Sequence, residues 1–172
     1  MKLWMDRHLV LPRGARVLHF APEPWVRGWL EARGARYTSA DISGAFDLTL
    51  DITAMDLPDV SVDLLIANHV LEHVDDAVAL AEIHRILLPG GIALLTVPMI
   101  EGWDETYEDR TLDQTARCLR YGDPTHLRFY GRDVRDRITR AGFHLSEAVA
   151  REPDVSTHAL NRGERLFLAT KQ

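Results

Sequence analysis

Apolar residues along the chain fall into short blocks with two different periods. Arg16–Phe20 (RVLHF) and Val62–Asn68 (VDLLIAN) are runs of the kind that is buried on both faces of a parallel sheet. Ile92–Val97 reads the same way. Ala35–Ala40, ending at Asp41, and Leu48–Asp51 predict two more strands. Between these blocks the apolar spacing becomes helical. Pro24–Arg33 has proline at its first position and Gly34 just past its end. Asp75–Leu87 carries Val78, Ala81, Ile83, Ile86 and Leu87, and Pro89-Gly90-Gly91 stops it. Arg132–Ala141 is closed by Gly142. Phe143–Ala150 and Arg165–Thr170 predict a closing hairpin, with Asn161-Arg162-Gly163 as the turn cue. The stretch from Pro98 to Phe129 predicts no regular element and is too long for an ordinary connection.

Strands that alternate with helices predict an α/β fold: a Rossmann-like, doubly wound, mostly parallel sheet with a C-terminal antiparallel hairpin strand. The whole of 1–172 is expected to form one domain, with 1–15 as a solvated entry segment and 98–130 as an insert on the substrate side. In such sheets ligands bind beyond the carboxyl ends of the strands, where strand order reverses. The residues that end each strand are therefore the candidates.

Composition narrows the partners. Of the 172 residues 46% are hydrophobic and 27% charged, and the formal net charge of −6 with no long basic run argues against wrapping a nucleic-acid backbone. The apolar runs are too short to span a bilayer, and MKLWMDRHLVLP lacks the features of a signal peptide. Cys118 is the only cysteine, so no internal disulfide or cysteine-based zinc cage can form, and a cytoplasmic protein is expected.

At the strand ends, Asp41 stands twenty residues after Ala21, the spacing at which an acid reaches a ribose in dinucleotide-type folds. The simpler reading is a turn or helix cap in Asp41-Ile42-Ser43-Gly44. In Leu50-Asp51-Ile52-Thr53 the Asp51 carboxylate can take an exocyclic amine while Ile52 covers a ring face. His69-Val70-Leu71-Glu72-His73 matches H-x-x-E-H, which would let His69, Glu72 and His73 serve a zinc hydrolase. That chemistry needs both histidines on one face of a long helix. Here the motif follows a buried strand directly, so no metal ligands are expected; the bland alternative is that Glu72 and His73 fix the loop.

The order of these pieces resembles class I S-adenosylmethionine-dependent methyltransferases of the small-molecule type. The resemblance rests on Val17-Leu18 before a cofactor loop, Asp41, Asp51-Ile52, VDLLIANHVLEHV, EIHRILLPGGIALLTVP and HLRFYGRDVRDRITRAGF, and covers about Arg16 to Phe143. It implies S-adenosylmethionine as cofactor, held by Phe20, Ala21, Glu23, Asp41, Ile42, Asp51, Ile52, Asn68 and His69, and a small-molecule acceptor, a sugar or another metabolite. The departure is the opening loop. His19 stands where the family has an acid, and Ala21, Glu23 and Trp25 stand where it has glycines, which looks like a subgroup with an L-H-F-A-P-E loop. Some relatives in that subgroup carry an N-terminal zinc ribbon, for which this chain has no cysteines. S-adenosylmethionine has no pyrophosphate, so the demand for glycine is weaker, and Pro22 and Pro24 can stiffen the loop. Glu23 can cap the helix or pair with the ligand's ammonium. On the acceptor side, His126 is the expected general base, Arg128 a holder of an acidic group and Tyr130 an orienting residue, unless His126 and Arg128 only pin the loop. The remaining alternative is a methyltransferase-fold interaction module with little or no activity. A homodimer fits either reading.

Overall fold

The structure, a computed structural model, describes residues 1–172. In chain order the elements are α1 (Lys2–His8), β1 (Arg16–Phe20), α2 (Pro24–Glu31), β2 (Arg36–Asp41), β3 (Leu48–Thr49) and β4 (Val62–Asn68). A 3₁₀ turn (Leu71–His73) leads to α3 (Asp76–Ile86) and β5 (Leu87–Thr96). Then come β6 (Tyr107–Glu108), α4 (Gln114–Tyr121), β7 (Arg128–Phe129), α5 (Val134–Arg140), β8 (Phe143–Val149), α6 (Asp154–His158) and β9 (Arg165–Lys171). No helix is long and apolar enough to cross a membrane.

The main sheet has seven strands in the order β3-β2-β1-β4-β5-β9-β8. The first five run parallel, while β9 pairs antiparallel with both β5 and β8. Strand alternation explains why both faces are covered. Val17, Leu64, Ile66, Leu94, Leu166 and Leu168 pack with Met5, Val26 and Leu30 of α1 and α2. Their neighbours Leu18, Leu65, Ala67, Ala93, Leu95 and Phe167 pack with Leu80, Ile83, Val134 and Ile138 of α3 and α5. A side-chain period of two between two helical layers gives the continuous apolar runs of β1, β4 and β5. Strand order reverses between β1 and β4: the chain winds from β1 outward through β2 to β3, then returns to β4 on the other side.

The sequence expectation differs at three places. The residues Pro89-Gly90-Gly91 do not follow the helix as a loop; they bulge within β5. Leu87 pairs with Val62 before the bulge and Ile92 with Leu64 after it. A Cβ at Gly91 would meet the Leu88 carbonyl oxygen at 2.8 Å, which is why glycine is needed there. The entry segment is more than a lead-in to β1: Lys2, Arg7 and Arg13 are exposed, but α1 buries Met5 against the sheet and Arg7 reaches Asp154 of α6 at 2.6 and 2.8 Å. The insert is also ordered. β6 and β7 pair as a small hairpin, and α4 lies between them, with the Asp113 side chain accepting from Ala116 N–H at its start and left-handed Gly122 at its end. The Glu105 backbone passes Gly131 so closely that a Cβ there would lie 2.4 Å from the Glu105 carbonyl carbon.

Candidate functional site

Register brings the expected cofactor residues into one row. Phe20 of β1 pairs with Ala40 of β2 and with Ala67 of β4. The next residues, Ala21, Asp41 and Asn68, therefore stand side by side at the carboxyl ends of three adjacent strands, and Asn68 pairs onward with Thr96 of β5. The row crosses the point where strand order reverses, the position at which open α/β sheets take their ligands.

Ala21 meets the glycine problem directly, since it adopts the left-handed conformation with φ +46°. The loop needs the backbone angle that glycine supplies elsewhere, and a single methyl group tolerates it at modest cost. His69, the residue after β4, is left-handed as well, with φ +52°. Ala21→Gly is expected to change stability by less than about 1 kcal/mol, because relieved strain offsets added freedom in the unfolded chain. Ala21→Val, branched at Cβ, is expected to cost about 1–2 kcal/mol. Urea unfolding of the two variants checks the contrast; equal stabilities would remove the left-handed loop.

Asp41 of the row and Asp51, two residues past the end of β3, are each held by one oxygen. Asp41 Oδ1 accepts from Ser43 N–H at 2.7 Å, and Asp51 Oδ1 accepts from Thr53 N–H at 2.8 Å and Thr53 Oγ1–H at 2.6 Å. Those Thr53 bonds hold the Asp51 carboxyl below its ordinary value. In both cases Oδ2 is left over for a ligand, which suits paired ribose hydroxyls and an amine. Ile42, beside Asp41, is 73% exposed and offers an apolar face. Two expectations shift here. Ile52 and Phe20 are core residues, each 3% exposed, so neither side chain has much surface to give a ring.

Glu23 neither caps its helix nor stands free for a ligand. It occupies the N-cap position of α2 but makes no side-chain cap. Its carboxylate folds back over the strand ends, where Oε1 accepts from Asn68 Nδ2–H at 2.7 Å and Oε2 lies 2.8 Å from Nε2 of buried His19. That last contact has the distance of a hydrogen bond but is out of line for one, so Glu23 Oε2 and His19 Nε2 both remain unsatisfied. Burial pushes the Glu23 carboxyl up, and His19, the local backbone and Asn68 more than offset it, so the group titrates below its ordinary value. His19 Nδ1 is 2.8 Å from Tyr37 Oη, and Thr96 Oγ1–H donates to Asn68 Oδ1 at 3.2 Å. A polar chain thus runs across β2, β1, β4 and β5. The strand-end position lacks an acid, and Glu23 supplies a carboxylate there from four residues downstream.

The residues expected to serve the acceptor lie elsewhere. Arg128 is fully buried; its Nε–H donates to Glu108 Oε2 at 2.9 Å, and Nη1–H groups donate to the Leu71 and Val74 carbonyls at 2.8 and 2.7 Å. Tyr130 is 1% exposed and donates through its hydroxyl to the Leu71 carbonyl or Asp76 Oδ2, each at 3.1 Å. Burial pushes the Tyr130 phenol well above its ordinary value. Both residues are corrected from acceptor contacts to clamps, because they are buried and bind carbonyls and carboxylates around the Leu71–His73 turn, with Arg128 Nη2 left enclosed and unpartnered. His126 packs against His73 and Phe129, with Nδ1 buried and unpartnered, and burial followed by the charge of His73 pushes its pKa down.

Open space lies on the other side of the row. A cavity of about 440 Å³ is bounded by α1 (Met1, Trp4, Arg7), Thr96 and the β8–β9 region (Ala148, Leu160). A second, of about 240 Å³, is bounded by His69, Thr96, Met99, Asn161 and Arg165. Both touch Thr96 at the end of β5. The insert expected to wall the acceptor contributes only its first residues, while α1 and the β8–β9 connection, neither of which carries a motif, supply the walls. The spacing of Met1, Trp4 and Met5 is the one signal for α1.

His69 faces the smaller cavity. Its side chain is 60% exposed, and Nδ1 lies 3.1 Å from Oε1 of Glu72, which is fully buried. A carboxylate only accepts, so Nδ1 carries the proton and Nε2 presents a lone pair. The Glu72 hydrogen bond raises the His69 pKa, against a smaller effect of burial. The H-x-x-E-H match is a strand end followed by one 3₁₀ turn, so the two-histidine helix face of a zinc hydrolase does not form.

Residues 25–95 match the methyltransferase domain family. The fold is similar to an S-adenosylmethionine-dependent methyltransferase from Mesorhizobium loti, with 17% identity, 94% of each chain covered and a TM-score of 0.65. It is also similar to the 1,6-didemethyltoxoflavin-N1-methyltransferase of Burkholderia thailandensis, solved with 1,6-didemethyltoxoflavin and S-adenosylhomocysteine bound: 17% identity, 93% of this chain and 72% of that one, TM-score 0.63. Over 93 residues, 54% of this chain, it is 39% identical to an uncharacterized 37.1 kDa protein of transposon TN4556 from Streptomyces fradiae; the chain spans 23% of that protein's length. The matched segment and the fold agree: residues 25–95 match the methyltransferase domain family within a fold shared with S-adenosylmethionine-dependent methyltransferases, whose cofactor is S-adenosylmethionine. The strand-end row, with Asp51 just beyond β3, fits S-adenosylmethionine: Asp41 and Asp51 each keep one carboxylate oxygen for a nucleoside, while Glu23 is spent on Asn68 and His19.

Proposed function

We propose that the protein is a cytoplasmic enzyme that methylates a small molecule at an oxygen, nitrogen or sulfur atom. The observation that carries this reading is the position of His69: it stands next after the strand-end row and faces a 240 Å³ cavity with a lone pair fixed by Glu72. The lone exposed Cys118 fits a reducing compartment. The small-molecule complex of the Burkholderia enzyme supports the acceptor class by analogy of fold.

When bound, the cofactor supplies an electrophilic methyl group on a sulfonium. The chain's own part is positioning and proton removal. Asp41 and Asp51 would hold the nucleoside through their free oxygens and Ile42 would cover its ring, while Glu23, enclosed against His19, orients the Asn68 amide at the strand end. The cavity beside Thr96 and Met99 holds the acceptor and excludes water. His69 Nε2 takes the acceptor's proton, and Glu72 stabilises the resulting imidazolium. Incubation with S-adenosylmethionine and a panel of hydroxyl-, amine- and thiol-bearing metabolites tests the proposal. Release of S-adenosylhomocysteine with at least one acceptor is expected; a protein that binds the cofactor but turns over nothing in such a panel would leave the interaction-module reading in its place.

A further inference from the structure

The clamp formed by Arg128 and Tyr130 has a by-product. Leu127 N–H donates to the Glu72 carbonyl at 2.8 Å, and this anchors the insert strand so that His126 is delivered to the Leu71–His73 turn. One ligand atom from each of Glu72, His73 and His126 then lies within 4.8 Å of the others. The Glu72 side chain is fully buried, and its Oε2 has no partner; His126 Nδ1 is also buried without one. Leaving two such groups unsatisfied side by side is costly, so the pairing asks for a common partner.

The surroundings prepare the third ligand. Thr125 Oγ1 hydrogen-bonds the Asp123 carboxylate, which can only accept, so the hydroxyl proton points to Asp123. The same oxygen, 2.8 Å from His73 Nδ1, therefore accepts from that nitrogen. His73 is fixed as the Nδ1–H tautomer with a bare lone pair on Nε2. A second group that orients a metal-binding imidazole in this way is the usual support of such ligands.

We propose that Glu72, His73 and His126 form a site for a divalent transition-metal ion, with zinc the ion best suited to two imidazoles and one carboxylate. Contraction of the ligand atoms by about 1 Å gives the bond lengths of roughly 2.0–2.2 Å that zinc takes from nitrogen and oxygen. The set differs from the H-x-x-E-H pattern, since His69 is not a member and the second imidazole comes from beyond the insert helix. Glu72 is shared: Oε2 faces the ion while Oε1 keeps its contact with His69. The ion would staple the insert to the end of β4 and fix the carboxylate behind His69.

The test is metal binding itself, read without any methyl transfer, so it stands or falls apart from the proposed function. The full chain is stripped with EDTA and titrated with zinc and with cobalt. Binding of one equivalent of zinc, a rise in melting temperature and the intense visible bands of four-coordinate cobalt are expected. His126→Ala and His73→Ala are each expected to weaken zinc binding by at least about 100-fold, and Thr125→Ala, a milder change, by less. His8→Ala and His144→Ala, at exposed histidines outside the cluster, should change nothing. Circular dichroism confirms that each variant is folded; should His126→Ala not fold, Thr125→Ala carries the comparison. Absence of stoichiometric binding by the wild-type chain, or binding that survives the cluster substitutions, overturns the site.

Discussion

Arg128→Ala is expected to destabilise the protein by about 3–5 kcal/mol, the cost of removing one partner from a buried ionic cluster. The guanidinium is fully enclosed and satisfies Glu108, the Leu71 carbonyl and the Val74 carbonyl at once, with Asp76 3.7 Å away. Alanine leaves the carboxylate of Glu108 without its inner partner, although Arg110 still reaches its outer oxygen at 2.5 Å. Asp76 is less affected, since Arg137 and Tyr130 both hold it. Arg128→Lys keeps the charge but loses the planar fork, and an intermediate loss is expected. Urea unfolding followed by circular dichroism measures both. A loss below about 1 kcal/mol for alanine would mean that the insert contributes little to the folded state.

The second large effect is catalytic. His69→Ala is expected to reduce turnover by about 100-fold or more with an acceptor that must lose a proton, the usual contribution of a positioned base. Affinity for S-adenosylhomocysteine should change far less, because the imidazole faces the cavity proposed to hold the acceptor. Glu72→Gln should reduce turnover by a smaller factor, since the amide can still accept from His69 Nδ1–H but bears no charge. The measurement is S-adenosylhomocysteine release at saturating cofactor. Turnover within roughly threefold of the wild type in His69→Ala would remove the base and leave a reaction driven by positioning alone.

The fold is legible in the sequence because its strands are read on two faces. Val17-Leu18, Leu64-Leu65 and Leu94-Leu95 each send one side chain to either helical layer, and only a doubly covered sheet needs such unbroken apolar runs. The acids at the strand ends are legible for a related reason, since the parallel register that aligns Phe20, Ala40 and Ala67 also aligns the residues just beyond them. The acceptor side is not. His126, Arg128 and Tyr130 stand out as polar and aromatic residues in a long irregular stretch, but Arg128 and Tyr130 are consumed by carbonyls of a turn more than fifty positions earlier in the chain. No local pattern announces such a partner. The helix α4 is short, carries few apolar residues and buries only Tyr121; its clearest signals are the cap Asp113 and the terminal Gly122. The family resemblance sets His69 against the cofactor, and what singles it out for another role is the buried Glu72 at its back, visible only once the turn is folded.

The central claim is that a glycine-free strand end, with Ala21 in the left-handed conformation and Glu23 folded over His19, still leaves a nucleoside site beside Asp41. Isothermal titration calorimetry with S-adenosylhomocysteine tests it most directly. One-to-one binding is expected in the wild-type chain, weakened in Asp41→Ala by about 1–3 kcal/mol, or roughly 5- to 150-fold in Kd. No binding at millimolar ligand, or equal affinity in the two proteins, would contradict it.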